Sequence, residues 1–324
     1  MSSESGIEPA SRALNGSRAA LAILYCKGIA MGLGDSVPGV SGGTIAVITR
    51  IYDELIYSIR SVDERALGLV FRGQIGAAWK HVNGNFLLTL ALGILSGLLV
   101  SANTVLYLLE YRFEALMGFF IGLVMASSVL LFRQFVLARP SNLLALFLGC
   151  TLTTGVGLLE PAVSELSLVY LFFCGLIAIC AMILPGLSGA FILLLLGAYE
   201  HMLTALTGLQ WAVIAVFISG CIVGLLAFSR LLALALRRFH ELSYGFITGL
   251  LLGSLSVLWP WQRPISYYMD SDGQEQVLQT ANVWPLNYTE QTGLEPQSVV
   301  VAVCMILGLL TVFGLNKVFA SRST

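Results

Sequence analysis

The chain has 324 residues, 57% of them hydrophobic and 11% charged, with a mean hydropathy of +0.87. A chain this apolar cannot cover itself with a polar surface in water and must be solvated by lipid. A net charge of −1 excludes the bulk basic character that nucleic-acid binding needs.

The N-terminal tail, residues 1–18, carries Arg12 and Arg18 and leads into an apolar run at 19–34. Lys27 interrupts that run and no A-x-A cleavage site follows, so the segment reads as retained rather than removed as a signal peptide. Region 19–57 holds two short apolar arms separated by Gly and Pro, a candidate hairpin, and a polar connection follows. Segments 86–108, 113–133 and 142–160 come next, then a second broken region at 167–206, then 211–236, 242–260 and 298–319. The six unbroken segments reach or approach the roughly 20 apolar residues that a membrane-spanning helix needs. The six cysteines (Cys26, Cys150, Cys174, Cys180, Cys221 and Cys304) all lie within apolar runs, without ligand spacing, and read as reduced packing residues.

Charge decides the threading. Arg60, Arg65, Arg72 and Lys80, then Arg133 and Arg139, then Arg230, Arg237 and Arg238, then Lys317 and Arg322 mark cytoplasmic segments together with the N-terminal tail. Segments 160–166 and 200–210 contain no Lys or Arg, and loop 261–296 carries one Arg against five carboxylates, so these face outward. The assignments agree only if each broken region enters and leaves on one side, the first from the cytoplasm and the second from outside. Trp259, Trp261 and Trp284 read as aromatic-belt anchors of the outer loop.

The two broken regions resemble each other. Val37 to Ile56 aligns with Leu184 to Leu203 at an offset of 147, while Gly93 to Val100 with Gly220 to Ala227, and Gly118 to Leu123 with Gly245 to Leu250, align at 127. The expected fold is therefore an all-α polytopic membrane protein with two inverted-topology repeats, 19–135 and 166–260. Each has a re-entrant, broken-helix hairpin plus two transmembrane helices. One linking helix (136–165), a periplasmic loop (261–297) and a C-terminal helix with cytoplasmic tail (298–324) complete it. That arrangement belongs to secondary transporters, whose sites lie at the repeat interface near the midplane.

The chemistry concentrates at the breaks. Pro38 and Gly39, and again Pro185 and Gly186, interrupt a helix in mid-membrane, where irregular backbone must line a cavity or be buried in protein. Apolar helix then resumes. A continuous helix from Ser41 to Tyr57 would be about 25 Å long, so its start would lie deep in the bilayer. Unpaired amides at Ser41, Gly42, Gly43 and Thr44, and at Ser188 and Gly189, would then form anion sites at helix N-termini. Lys27 is an intramembrane charge, read either as a functional group or as a snorkelling side chain. Asp35 could hold a coupling proton or cation, pair with Lys27, or cap the hairpin tip. Asp53 and Glu200 are equivalent positions near opposite faces, read as gates or as interfacial groups. Arg50, a candidate substrate clamp, matches Gly197 in the other copy, and this asymmetry counts against it. No metal-ligand cluster and no cofactor motif is present, although a coupling proton or sodium ion is compatible with the pattern.

The doubled G-x-S-G also fits an intramembrane serine hydrolase, but such a serine needs a base within hydrogen-bond reach. The three histidines, His81, His201 and His240, all fall near the predicted membrane faces. A secondary transporter of a soluble anion or small solute fits the breaks as well as a lipid transporter does.

At Lys27-Gly28, Asp35, Pro38 to Thr44 and Ile51-Tyr52, with Pro185 to Gly189 and Gly197 to Glu200, the chain resembles the bacterial polyprenyl-phosphate transporter (PopT) family over nearly all its length. Arg50 departs from the glycine of the family pattern. The resemblance implies a flippase and not an enzyme, with Lys27 and the helix N-termini at Ser41, Gly42, Gly43 and Thr44 and at Ser188 and Gly189 binding the substrate phosphate. The flippase would move undecaprenyl phosphate from the outer to the inner leaflet of the bacterial inner membrane, both termini cytoplasmic, for carrier-lipid recycling in peptidoglycan and cell-envelope synthesis. Oligomeric state has no signature in the sequence.

Overall fold

A computed structural model describes residues 18–36, 41–159, 167–269 and 275–320. The chain forms α1 (Arg18–Asp35), α2 (Gly42–Ile48), α3 (Tyr52–Arg60), α4 (Glu64–Phe71), α5 (Ile75–His81), α6 (Gly84–Tyr111), α7 (Phe113–Leu131) and α8 (Pro140–Gly157). There follow α9 (Leu168–Ile183), α10 (Gly189–Leu195), α11 (Tyr199–Thr207), α12 (Trp211–Arg238), α13 (His240–Val257), β1 (Gln262–Met269), β2 (Glu275–Asn282), α14 (Pro285–Thr292) and α15 (Ser298–Ala320). Among the described residues three helices, at Gly84–Ser101, Phe113–Gln134 and Trp211–Arg238, are long and apolar enough to cross a membrane, and Leu168–Ile183 and Ser298–Gly314 are shorter apolar helices. The chain is thus a predominantly helical, multi-pass membrane protein.

Small residues set how the long helices meet. A methyl at Gly93 would lie 2.4 Å from the Tyr25 carbonyl oxygen, and one at Gly32 2.2 Å from that of Ile94, so α1 and α6 touch backbone to backbone. The same close approach joins α9 to α12 (Gly220 on Phe172 O, 2.0 Å), α7 to α15 (Gly122 on Met305 O, 2.0 Å) and α8 to α13 (Gly249 on Leu146 O, 2.0 Å). Lipid gives helices no hydrophobic reason to associate, so close van der Waals packing across small-xxx-small faces has to hold them. In each pair the contacts advance in the same direction along both helices, as Gly118 on Val301 and then Gly122 on Met305 illustrate. The partners therefore run parallel, which agrees with the directions read from loop charge.

Positions equivalent under the two sequence offsets adopt the same geometry. The joint between α6 and α7 is the single residue Arg112 (φ −143°, ψ 36°), and that between α12 and α13 is Phe239 (φ −130°, ψ 51°). Helix α8, expected as a lone linker, packs on α13 as α15 packs on α7. Gly149 lies under the Phe246 carbonyl just as Gly308 lies under that of Phe119. First-turn glutamates repeat too: Glu241 accepts from Asn142 Nδ2 at 2.9 Å, and Glu114 accepts from the Tyr288 hydroxyl at 2.9 Å. Burial pushes the Tyr288 phenol up to about 12.

Two expectations are corrected. The continuous helix from Ser41 to Tyr57 breaks at Thr49–Ile51, and α10 and α11 break at the matching place with a bend of 108°. In both breaks a left-handed residue turns the chain, Arg50 at φ 57° and Gly197 at φ 65°. The bonds Ile51 N to Ala46 O and Ala198 N to Leu193 O, both 2.9 Å, close the turn identically. Arg50 thus holds a conformation that glycine adopts without steric cost. Arg50→Gly is expected to raise the thermal midpoint of the detergent-solubilised protein by roughly 2 °C, from about 1 kcal/mol of relieved backbone strain. An unchanged or lowered midpoint would show that the side chain's contact with Asn316 outweighs the strain.

The second correction is to the all-α class. The expected outer loop contains an antiparallel hairpin, with Gln262 opposite Asn282 and Met269 opposite Glu275. Tyr, Ile and Val in β1 and β2 suit strands, and the chain is too polar there to cross lipid. Trp259, Trp261 and Trp284 stack edge to face at 5.5 and 5.9 Å. Trp259 Nε1 donates to Val283 O and Trp261 Nε1 to Pro296 O. Trp259 and Trp261 thus pin the base of the hairpin, while Trp284 is exposed.

Candidate site at the two helix breaks

Helix α1 ends beside α6, where Ser36 Oγ donates to Gly32 O at 3.0 Å. The next described residue, Ser41, is extended (φ −129°, ψ 152°) and starts α2 as its N-cap, its Oγ accepting from Thr44 N at 3.3 Å. The Asp35 carboxylate accepts from Gly42 N at 2.5 Å. Two of the otherwise unpaired first amides of α2 are thus held by the protein's own oxygens. Pro38 and Gly39 lie outside the described residues.

The second break lies directly on this turn. Ser41 Oγ donates to Leu184 O at 3.2 Å, and Gly186 N donates to Thr44 Oγ1 at 3.0 Å. A methyl on Gly43 would stand 2.6 Å from Ile183 O, and one on Gly186 (φ 87°) 2.7 Å from Leu250 O. Two glycines therefore let three backbones come together: the start of α2, the 183–186 segment and α13. Ser41 and Thr44 are each 1% exposed and Ser188 8%. Ser188 caps α10 by accepting from Phe191 N at 3.4 Å. A cavity of about 10 Å³, room for about one water, lies against Gly186, Leu187 and Ser188. Thr153 also lines it, and its buried Oγ1 has no hydrogen-bond partner.

Lys27 is at the other end of α2. Its Nζ donates to Thr49 O at 2.8 Å, satisfying a helix-end carbonyl where the helix dipole is negative. The equivalent carbonyl, Leu196 O, accepts from the Tyr170 hydroxyl at 2.8 Å. So the first arm of each hairpin ties down the far end of the second arm. Asp35 and Lys27 bond to opposite ends of α2, so of the alternatives open for Asp35 in the sequence the structure shows a helix-end contact and not a pair with Lys27. Arg50 is exposed and its guanidinium reaches Asn316 on α15, so the structure does not bring its side chain to the contact between Ser41, Thr44 and the 184–186 backbone.

Asp53 is in the first turn of α3, and its Oδ2 accepts from the Tyr244 hydroxyl of α13 at 2.9 Å. Asp53 Oδ1 and the Tyr52 hydroxyl are buried without hydrogen-bond partners. Glu200 takes the matching place in α11. Tyr244 and Tyr170 escape sequence reading because each acts across the fold, through a carboxylate or carbonyl far along the chain. Of the histidines, His81 bonds Asp63 at 3.0 Å and His240 stacks on Tyr244, and the carboxylate beside Ser41 is Asp35, held on the Gly42 amide. The recorded partners of the serines are the backbone and Thr44.

The arrangement offers buried hydroxyl and amide groups, a carboxylate seated on a helix amide and a lysine one short helix away. Such groups can hold a polar group inside a membrane. The comparisons with known proteins agree. The model of the VCA0040-like, undecaprenyl phosphate translocase-like family matches residues 31–276. A polyprenyl-phosphate transporter from Vibrio cholerae is 39% identical over 293 residues, covering 90% of this chain and 95% of its own. One from Staphylococcus aureus is 28% identical over 261 residues, covering 72% and 84%. No solved structure matches the fold. With a family match across most of its length and a relative 39% identical over nine-tenths of it, the chain belongs to the undecaprenyl phosphate translocase-like family.

Proposed function

We propose that this protein carries undecaprenyl phosphate from the outer to the inner leaflet of the bacterial inner membrane, returning the carrier lipid to cell-envelope synthesis. The observation that carries the reading is the buried contact between the two breaks. A phosphate monoester brings about −1.5 to −2 charges near neutral pH and cannot cross hydrocarbon bare. When the breaks part, the Gly186 and Gly42 amides and the Ser41 and Thr44 hydroxyls become donors to its oxygens, with Ser188 and Gly189 on the opposite side. Asp35 occupies the Gly42 amide in the structure, so the head group must displace it or meet it protonated. That requirement makes Asp35 the coupling residue of the proposal. Lys27, about 10 Å along α2 from its cap, supplies a positive charge on the route, and the isoprenoid tail stays in lipid.

The repeats are oppositely oriented in this reading, and access alternates as one moves against the other. Unequal burial of matching residues supports a form closed on the cytoplasmic side. Tyr52 is 3% and Ile56 0% exposed, whereas their counterparts Tyr199 and Leu203 are 37% and 46% exposed. Asp53–Tyr244 and the Arg230 bond to Val62 O latch the closed side, and Glu200 serves the other.

The test is reconstitution in liposomes with a probe of head-group accessibility. Undecaprenyl phosphate should change leaflet with this protein and not without it, and Lys27→Gln should slow the exchange by about tenfold, the effect of losing about 1.4 kcal/mol of differential binding. Accumulation of a water-soluble anion with no lipid movement would establish the secondary transporter of a soluble solute instead.

A further inference from the structure

The connection between α3 and α6 folds into a closed helical hairpin. Asp63 caps α4 by accepting from Ala66 N at 3.0 Å and bonds His81, the last residue of α5, at 3.0 Å. The Ala66 amide and His81 hold its carboxyl below the usual carboxylate range. Ala66 and Ala78 are buried where the helices meet. Trp79 lies over Gly84 and donates from Nε1 to Asn85 at 2.8 Å, while Asn83 donates to Glu54 at 3.1 Å. The hairpin is thus fastened to the starts of the membrane helices.

Its outer side is apolar. Phe71 is 87% and Ile75 68% exposed, and Leu67, Val70 and Trp79 are exposed with them. Leu67 and Phe71 are four residues apart in α4, and Ile75 and Trp79 four apart in α5, so each helix contributes its own apolar stripe. The basic side chains Arg65, Arg72 and Lys80 accompany them, and Arg65, Arg72, His81 and Glu64 line an open recess of about 440 Å³. The linkers fix where this face can be. Residues 61–63 and 82–83 are all that separate the hairpin from α3 and α6, and three residues span at most about 11 Å.

We propose that α4–α5 is an interfacial anchor lying in the cytoplasmic leaflet, with Leu67, Val70, Phe71 and Ile75 among the acyl chains and Arg65 and Arg72 against anionic lipid phosphates. An apolar face flanked by cations, held within one headgroup layer of the bilayer, is what such a surface binds. The choice of leaflet rests on the orientation proposed above; the anchoring does not rest on transport.

The test uses full-length protein in nanodiscs of mixed zwitterionic and anionic lipid. In a background lacking the six native cysteines, an environment-sensitive label is placed at Phe71→Cys, at Ile75→Cys or, as a water-facing control, at Glu290→Cys on the polar helix α14, where the side chain is exposed. The first two labels should emit at shorter wavelength than the control, be quenched by lipids spin-labelled near the head group, and resist iodide. Their quenching by lipid should fall when anionic lipid is omitted, and Arg65→Gln/Arg72→Gln should remove that difference. Iodide quenching equal to the control would overturn the proposal, as would shielding from both quenchers, which would mark a protein-covered face. Lipid quenching indifferent to lipid charge would overturn the headgroup contact. Each outcome is read independently of whether undecaprenyl phosphate moves.

Discussion

Gly249→Leu should abolish most of the folded protein, whereas Gly155→Leu should leave it intact. At Gly249 a single added carbon would stand 2.0 Å from the Leu146 carbonyl oxygen; at Gly155 it would meet nothing within 4 Å. Leucine favours helix over glycine by about 1 kcal/mol, so Gly155→Leu is expected to be neutral or slightly stabilising. At Gly249 the clash is with backbone, which cannot rotate away. Helices α8 and α13 must separate, and the contacts at Gly245 and Gly253 in the same stripe go with them. Forced overpacking costs about 1–3 kcal/mol in soluble cores, and here it falls on van der Waals packing, a principal force holding these helices together in lipid. The matching Gly122→Leu, at 2.0 Å from Met305 O, should do equal damage. Size-exclusion profile and thermal midpoint in detergent read both. Equal behaviour of Gly249→Leu and Gly155→Leu would mean that α8 and α13 are not in backbone contact.

Thr44→Val should leave the protein folded and reduce lipid transport at least about tenfold, with Thr44→Ser restoring most of it. Valine keeps the shape but leaves the buried Gly186 N–H without its acceptor, a loss of about 1–3 kcal/mol. That loss weakens the closed contact between the breaks and removes a hydroxyl from the proposed head-group shell. Serine returns the oxygen without the methyl. A purely structural role would show as loss of folded protein in step with activity, so thermal midpoint and transport are measured on the same preparations. Full transport by Thr44→Val would remove this contact from the mechanism.

The parallel helix pairs agree with the threading that Lys and Arg placement implies, because charge position constrains long spans strongly. The break at Pro185 and Gly186, between α9 and α10, was also legible, because Pro and Gly interrupt so apolar a run. The breaks at Arg50 and Gly197 were not. Arg50 occupies a left-handed position that the alignment with Gly197 could have signalled, but a charged residue there reads as a ligand rather than as a turn. The glycines at 28, 32, 93, 97, 118, 122, 245 and 249 went unread as contact stripes, because which helix meets which depends on packing. The β-hairpin was hidden because an acidic loop and short polar strands look alike without their partners. At the candidate site, Ser41 and Thr44 meet the 184–186 backbone, a contact between segments more than 140 residues apart. Lys27 does not join them, because a lysine eight residues before Asp35 on one helix lies about 12 Å away along its axis.

The central claim is that the head group passes between the two breaks, and locking them together tests it most directly. In the cysteine-free background, Ser41→Cys with Leu184→Cys places one thiol on each of the two backbone segments that the 3.2 Å bond from Ser41 Oγ to Leu184 O now joins. A short thiol cross-linker bridges them in liposomes that contain undecaprenyl phosphate. Movement of the lipid between leaflets should stop on cross-linking and resume when a reducible linker is cleaved. Undiminished movement with the breaks covalently joined would contradict the account.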